Sequence, residues 1–256
     1  MTVGQDADPP AGEGGRRLWV AGPAGVLLVL TVGDVLVFGG AHTGDQVVFR
    51  DGLPPRSGVW HAFWRVLVTG GQYWLVGSAA ALATAWLAWR ARSLPVLLAG
   101  GSWLVGSELV IRALQLCFGR TAPLREVDLL FAGAVSFPSG HAANAAACLT
   151  FVAGVLSAPS WLRTAAHAWA VLVAIAVVTL GYHWPSDAIA GWALGIVLGQ
   201  VGRHLVRRSG RPGPRGVLSS SAGRFWRARS GRRRRPRASR GRWSASGRDR
   251  GTPGSR

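Results

Sequence analysis

Uninterrupted apolar runs of about 20 residues recur along this chain of 256 residues. A globular core seldom needs such runs, whereas a helix that crosses a bilayer needs about 20 apolar residues in succession. The hydrocarbon layer holds no water to satisfy backbone N–H and C=O groups, so each span is expected to be helical. Six segments meet this description: Leu18–Phe38, Trp74–Trp89, Leu94–Leu116, His141–Leu156, Trp161–Leu180 and Ala188–Val206. We therefore predict an all-α fold, a six-transmembrane helical bundle.

Composition and charge divide the chain into three parts. Residues 1–17 are rich in Gly, Pro and Asp, which predicts a disordered segment ahead of a membrane domain at residues 18–206. Residues 203–256 hold 18 Arg and one acid, Asp249, so this end carries +17 of the formal net charge of +18. Residues 207–256 are predicted to form a disordered Arg-rich tail. We expect the tail to contact anionic lipids, and nucleic-acid binding is the disfavoured alternative.

The placement of arginine predicts the orientation in the membrane. If the spans alternate, one face receives the arginines that flank them: Arg16, Arg17, Arg90, Arg92, Arg163 and those of the tail. The positive-inside rule makes this face cytoplasmic, so both termini of a multi-pass cell-membrane protein are expected there. The opposite, outer face then receives three loops, at His42–Arg65, Gly119–Gly140 and Gly181–Asp187.

The fourth span begins on the outer face with Pro138-Ser139-Gly140-His141. Ser139 is a favoured N-cap residue, and Gly140 lets another group approach the backbone closely. The first N–H groups of a helix have no partner within the helix and face its positive dipole end. This helix start is therefore a predicted anion site.

The sixth span begins in a similar way. Pro185 suits the first helical position, Asp187 falls in the first turn, and His183 lies four residues earlier. Two histidines and a carboxylate beside helix N-termini are the groups that nucleophilic attack on a phosphoryl group requires. A metal site at His141, His183 and Asp187 is a weaker alternative, because their spacing matches no recognised ligand pattern. We predict neither a metal nor a cofactor.

At this point the chain resembles the type-2 phosphatidic-acid phosphatases, which share a fold with vanadium haloperoxidases. The second motif of that family, Pro-Ser-Gly-His, stands intact at residues 138–141, and the end of its third motif is matched by His183 and Asp187. The resemblance implies that His183 attacks phosphorus and becomes a phosphohistidine, and that Asp187 orients His183. It also implies that His141 protonates the leaving oxygen, while Ser139 and Gly140 bind phosphate oxygens at the outer face.

Three cationic positions of the family are uncharged here. The first motif has a Lys and an Arg-Pro pair, and the alignment on Pro123 places Gln115 at the Lys and Ala122 at the Arg. The third motif opens with Ser-Arg, and the corresponding residues are Ala176 and Val177. Phosphoryl transfer needs cations at such positions to stabilise the charge on the equatorial oxygens.

Arg120 is the expected substitute, because it follows Gly119 in the loop of the first motif and has no acid within four residues. Arg112 is a second candidate, although its i,i+4 spacing from Glu108 also predicts an ion pair. Arg125 is the third and weakest.

These observations leave three hypotheses. The first is an integral-membrane lipid phosphatase that hydrolyses a phosphomonoester or diphosphate, with the site at the outer interface. The second is a catalytically impaired member of the fold that serves as a binding or scaffold protein, which the three missing cations favour. The third, a vanadate-dependent oxidase, is disfavoured by the membrane spans and by the same missing cations.

Overall fold

A computed structural model describes residues 12–125 and 127–210 of the chain. This part is helical and contains no strand, so the all-α prediction is confirmed. The helices are α1 (Gly12–Leu36), α2 (Gly40–Val48), α3 (Gly58–Thr69), α4 (Tyr73–Ala91), α5 (Leu94–Phe118), α6 (Gly140–Val155), α7 (Ser160–Thr179) and α8 (Pro185–Ser209), with a 3₁₀ turn at Pro123–Arg125. Most of the expected disordered segments, including the Arg-rich tail from residue 211, lie outside the described residues.

All six predicted spans coincide with a helix: α1, α4, α5, α6, α7 and α8. The helices at the two ends extend further than predicted, since α1 begins at Gly12 and α8 ends at Ser209. The expectation that residues 12–17 and 207–209 are disordered is therefore wrong. Hydropathy marks only the apolar part of a helix, whereas backbone hydrogen bonding continues into polar flanking residues.

Within residues 12–125 and 127–210, four helical segments are long and apolar enough to cross a membrane, and a fifth qualifies if α1 and α2 count as one span bent by 79°. The fourth predicted span, α6, has only 16 residues, fewer than the roughly 20 that a bilayer requires. Most of its side chains are buried by neighbouring helices, so its length need not match the bilayer. Six complete spans are thus not established by length and composition.

The first predicted outer loop, His42–Arg65, is not a simple loop. It contains most of α2 and the first half of α3. The carboxylate of Asp34, near the end of α1, accepts hydrogen bonds from the backbone N–H groups of Ala41 and His42 at 2.7 and 3.3 Å. This cap fixes the start of α2 against α1, and α2 carries Asp45 into the interior.

The pair α6 and α8 forms the centre of the fold. Half of the most apolar window of α8 is buried, compared with 22% for α7. Three glycines on one face of α8 lie against the backbone of α6: Gly191, Gly195 and Gly199. A Cβ atom on Gly199 would lie 2.6 Å from the carbonyl oxygen of Ala147, and one on Gly195 would overlap the carbonyl oxygen of Ala143. Small residues at this spacing let two membrane helices pack backbone to backbone.

Candidate active site

A cavity of about 460 Å³ lies where the N-terminal ends of α4 and α6 meet the C-terminal half of α5. The loop after α5 and the residues just before α8 complete its wall. Its polar and charged lining residues are Gln72, Tyr73, Glu108, Arg112, Gln115, Arg125, Ser136, His141, Asn144, Tyr182 and His183. Both predicted catalytic histidines therefore face one cavity.

The start of α6 lines this cavity with a glycine and a histidine. Ser139 is the N-cap, and its hydroxyl accepts a long hydrogen bond of 3.5 Å from the N–H of Ala142. Gly140 lies so close to Gln115 that a Cβ atom would stand 3.1 Å from the amide nitrogen Nε2. The Nε2 atom of His141 is buried and has no hydrogen-bond partner within the described chain. A buried polar atom without a partner is costly, which is consistent with a ligand group binding there.

His183 is held by one strong contact of its ring. Its Nδ1 lies 2.8 Å from the backbone oxygen of Ser136, and a carbonyl oxygen can only accept a hydrogen bond. Nδ1 therefore carries the proton, and in the neutral ring Nε2 is left with a free lone pair. The ring centroids of His183 and His141 are 6.2 Å apart, so a small group between them can reach both.

Asp187 does not bond His183 directly. Its Oδ2 lies 3.7 Å from Nδ1, beyond hydrogen-bond distance. The same oxygen accepts from the hydroxyl of Ser136 at 2.5 Å and from the backbone N–H of Trp184 at 3.0 Å. Ser136 thus stands between the carboxylate and the histidine: its hydroxyl bonds Asp187 and its carbonyl oxygen bonds His183.

Arg120 does not line the cavity, which contradicts the expected phosphate contact. Its side chain is 0% exposed, and all five of its N–H donors are used within the protein. Nε and one Nη2 donor bind Asp128, the second Nη2 donor binds Asp45, and the Nη1 donors bind Ser186 and Asp187. No donor is left for a substrate. Of the acids that neutralise it, Asp128 lies 8 residues away in sequence, and Asp187 and Asp45 lie 67 and 75 residues away, so a search within four residues could not find them.

The carboxylates around Arg120 have further partners. Asp45 accepts from the backbone N–H of Ser186 at 2.8 Å and from its hydroxyl, so a residue of α2 caps the N-terminus of α8. Asp128 also lies 3.0 Å from Nδ1 of His42. We call Arg120 with Asp45, Asp128 and Asp187 the arginine cluster. It joins the three predicted outer loops.

Two arginines line the cavity within the described part of the chain, Arg112 and Arg125. Arg112 lies 3.0 Å from Glu108, which confirms the predicted ion pair, and it also donates to Gln115 at 3.1 Å. Arg125 ends the 3₁₀ turn and is exposed. Its side chain has no carboxylate partner among the described residues. The sequence ranked Arg125 last, because it lies three residues beyond the family position at Ala122.

The remaining positions of the family's cationic residues have structural roles. Gln115 is buried and donates to the carbonyl oxygen of Pro138 at 3.1 Å, so it supports the turn before α6. Val177 is fully buried and packs in one apolar cluster with Leu67 and Val68. A guanidinium at Val177 would have to enter that cluster.

Sequence reasoning missed four residues of this site: Asp45, Asp128, Ser136 and Ser186. Asp45 lies in a predicted loop with no motif around it, and its partners are far away in sequence. Ser136 acts through its backbone oxygen as well as its hydroxyl, and a side-chain pattern does not reveal a backbone contact. Because α2 is short and of low hydropathy, no sequence pattern marked Asp45 as a buried carboxylate.

The family model of the PAP2 superfamily matches residues 101–211. The matched residues make up less than half of the chain, and over this part the chain is similar to that family. The match covers α5 from Gly101 onward, α6, α7 and α8, and therefore both helix starts that carry the histidines. The resemblance inferred from the motifs is confirmed.

Two curated proteins are similar to short parts of this chain. An undecaprenyl-diphosphatase of Sulfolobus acidocaldarius is 43% identical over 60 residues, which are 23% of this chain and 28% of that protein. A lipid A 1-phosphatase of Porphyromonas gingivalis is 38% identical over 68 residues, which are 26% of this chain and 15% of that protein. The chain thus matches less than a third of the length of either relative.

Among solved structures, a transmembrane PAP2-type phosphatidylglycerolphosphate phosphatase from Bacillus subtilis has the same fold. The superposition covers 72% of this chain and 96% of that one, with a TM-score of 0.53 and 19% sequence identity. At this identity the likeness establishes the fold, and the activity has to be argued from the residues of this chain.

Proposed function

We propose that this protein is an integral-membrane phosphatase that hydrolyses a lipid phosphomonoester or diphosphate through a phosphohistidine. The observation that carries the proposal is the contact between Nδ1 of His183 and the carbonyl oxygen of Ser136 at 2.8 Å. It leaves Nε2 as the lone-pair atom of a ring that lines the cavity together with His141, whose Nε2 finds no partner among the described residues.

The proposed reaction has two steps. In the first, Nε2 of His183 forms a bond to phosphorus while the bond to the leaving oxygen breaks, and His141 gives that oxygen its proton. In the second, His141 takes a proton from a water molecule that attacks phosphorus, and inorganic phosphate leaves as the bond to His183 breaks. Ser139 caps the N-terminus of α6, and Gly140, which lines the cavity, binds phosphate oxygens there.

Arg112 and Arg125 supply the positive charge in this proposal. Both line the cavity, and cations stabilise the charge that develops on the equatorial oxygens. They replace the Lys and Arg of the family's first motif from other positions. The relatives named above act on a lipid diphosphate and on lipid A, so we propose a lipid headgroup presented from the membrane as substrate. We also propose that the cavity opens at the outer face and that both termini are cytoplasmic.

Purified protein in detergent tests the proposal. Inorganic phosphate should be released from phosphatidic acid, phosphatidylglycerol phosphate or a prenyl diphosphate, and vanadate should inhibit the release. His183→Ala should abolish it, whereas His204→Ala should not, because His204 is exposed near the other end of α8. Rapid acid-free quenching with a ³²P-labelled substrate should trap label on the wild type and none on His183→Ala.

A binding or scaffold role is the second candidate, favoured by the uncharged residues Gln115, Ala122 and Val177 at the family's cationic positions. In that case, wild-type protein should bind inorganic phosphate or vanadate without turning over any of the three lipids. Turnover that depends on His183 would exclude this candidate.

A further inference from the structure

We propose that Asp45 and Arg120 are positioning residues that hold His183 in its nucleophilic tautomer through Asp187 and Ser136. This inference rests on the proposed function. The residues form a continuous chain of hydrogen bonds from α2 to the histidine ring, although Asp45 and His183 lie far apart in sequence.

Ser136 is the last link before His183, and Arg120 controls it by two routes. The carbonyl oxygen of Arg120 accepts from the backbone N–H of Ser136 at 3.0 Å. Nη1 of Arg120 donates to Asp187 at 2.7 Å, and the other oxygen of Asp187 accepts from the hydroxyl of Ser136. With its N–H and its hydroxyl both fixed, Ser136 presents its carbonyl oxygen to Nδ1 in one orientation.

Asp45 fixes the other end of the arrangement. One oxygen accepts from Nη2 of Arg120 at 2.8 Å, and the other accepts from the backbone N–H of Ser186 at 2.8 Å. The carboxylate therefore aligns the guanidinium and anchors the first turn of α8, which carries Asp187. Its negative charge at a helix N-terminus is favourable in addition. Loss of this charge would weaken the contacts that orient Arg120 and the start of α8.

Positioning explains the arginine cluster better than substrate binding or stability alone. The side chains of Arg120, Asp45 and Asp187 are 0%, 1% and 0% exposed, so a substrate cannot reach them. Buried ion pairs add little net stability compared with apolar packing. The bonds of this cluster nevertheless converge on the one ring that has to keep a fixed tautomer.

Asp45→Asn is the principal test, because it keeps the size of the side chain and removes its charge. We expect kcat on a lipid phosphate to fall about 10- to 100-fold, as expected when a reactive group is displaced by about 1 Å. KM and the inhibition constant of inorganic phosphate should change less than about twofold, because the cavity keeps Arg112 and Arg125. Asp51→Asn and Arg56→Gln, exposed charges of the same outer segment, serve as controls and should behave as wild type.

Arg120→Met and the double variant with Asp45→Asn extend the test. If both residues act through one chain of contacts, kcat of the double variant should lie within about twofold of kcat of Arg120→Met alone. A loss of kcat in the double variant that equals the product of the two single losses would overturn the inference. So would an unchanged kcat in Asp45→Asn, or a raised phosphate inhibition constant with unchanged kcat, since the latter would mean substrate binding. If Arg120→Met does not fold, the kcat and the phosphate inhibition constant of Asp45→Asn still test the inference.

A spectroscopic readout separates this inference from the proposed activity. ¹⁵N-histidine spectra, with the His183 signals assigned by comparison with His183→Ala, should show the Nδ1–H tautomer in the wild type. Asp45→Asn should give a mixture with Nε2–H, and Asp51→Asn should not. An unaltered tautomer in Asp45→Asn would refute positioning even if the enzyme is active. Absence of hydrolysis in the wild type would refute the proposed function and leave the tautomer result to decide the positioning role.

Discussion

Replacement of Arg125 by Ala is the sharpest test of how this site binds phosphate. Arg125 lines the cavity, is exposed, and has no carboxylate partner among the described residues. Arg112 lines the same cavity, but its guanidinium lies 3.0 Å from Glu108. Arg120 is buried in the arginine cluster. Among the described residues, Arg125 is therefore the arginine of the cavity whose charge no carboxylate neutralises.

The expected loss follows from electrostatics. Two unit charges about 4 Å apart interact by about 4 kcal/mol at an effective dielectric constant of about 20. Water around an exposed side chain screens part of this energy, and we take about half, or about 2 kcal/mol, as the share lost in the transition state. That corresponds to about a 30-fold decrease in kcat/KM. For Arg112→Ala, the carboxylate of Glu108 cancels most of the field, and a loss below about fivefold is expected.

The assay measures phosphate release from a short-chain lipid phosphate in detergent. Arg56→Ala is the control for the loss of an exposed arginine, because Arg56 is exposed and lies between α2 and α3. Adding Ala122→Arg to Arg125→Ala should recover part of the rate, because residue 122 lines the same cavity. Raised salt should slow the wild type more than Arg125→Ala.

A change of less than twofold in Arg125→Ala would refute this account of the missing cations. A larger loss in Arg112→Ala than in Arg125→Ala would refute the ranking and assign the phosphate contact to α5. Retention of activity in both single variants and in the double variant would show that the backbone donors at the start of α6 suffice.

Three further predictions concern the histidines, the helix packing and the topology. His183→Ala should abolish hydrolysis of every substrate, whereas His141→Ala should slow a lipid phosphate much more than p-nitrophenyl phosphate, whose leaving group needs no proton; equal losses on both substrates would contradict these roles. Gly195→Ala should destabilise the protein by about 1–3 kcal/mol because its Cβ overlaps α6, whereas Gly101→Ala, which faces open space, should stabilise it by up to about 1 kcal/mol; thermal unfolding in detergent measures both. A Ser244→Cys variant without the two native cysteines should resist impermeant thiol reagents in intact cells, and labelling from outside would reverse the proposed orientation.

The helices were predictable from the sequence because a long apolar run that crosses a bilayer is expected to be helical. The caps were predictable as well, since Ser139, Pro185 and Asp187 are typical of helix starts and stand there in the structure. The contacts of Arg120 were not, because they depend on which carboxylates the tertiary fold brings together. Asp45 is 75 residues away from it in sequence, and α2 itself was hidden in a segment of low hydropathy.

The assignment of His183 illustrates the same limit at the level of single atoms. The spacing of His183 and Asp187 suggested a direct contact, and four residues across a helix start do bring their atoms to 3.7 Å. The intervening hydrogen bonds of Ser136 depend on the path of the loop before α6. Neither the motif nor the periodicity of the sequence constrains that path.

The glycine face of α8 has a consequence for how the site can adapt. Gly191 lies against the carbonyl oxygen of Ser139, and the N–H of Ser139 donates to the carbonyl oxygen of Asp187 at 2.9 Å. The two helix starts are therefore bonded backbone to backbone, and the gap between the rings of His141 and His183 cannot widen without breaking the close contact between α6 and α8. Another wall of the cavity contains the exposed Arg125 and its short turn, and among the described residues no glycine packs that turn against the backbone of α6 or α8. We expect lipids with different leaving groups to be accommodated by movement of that wall, while the separation of the two histidines stays constant.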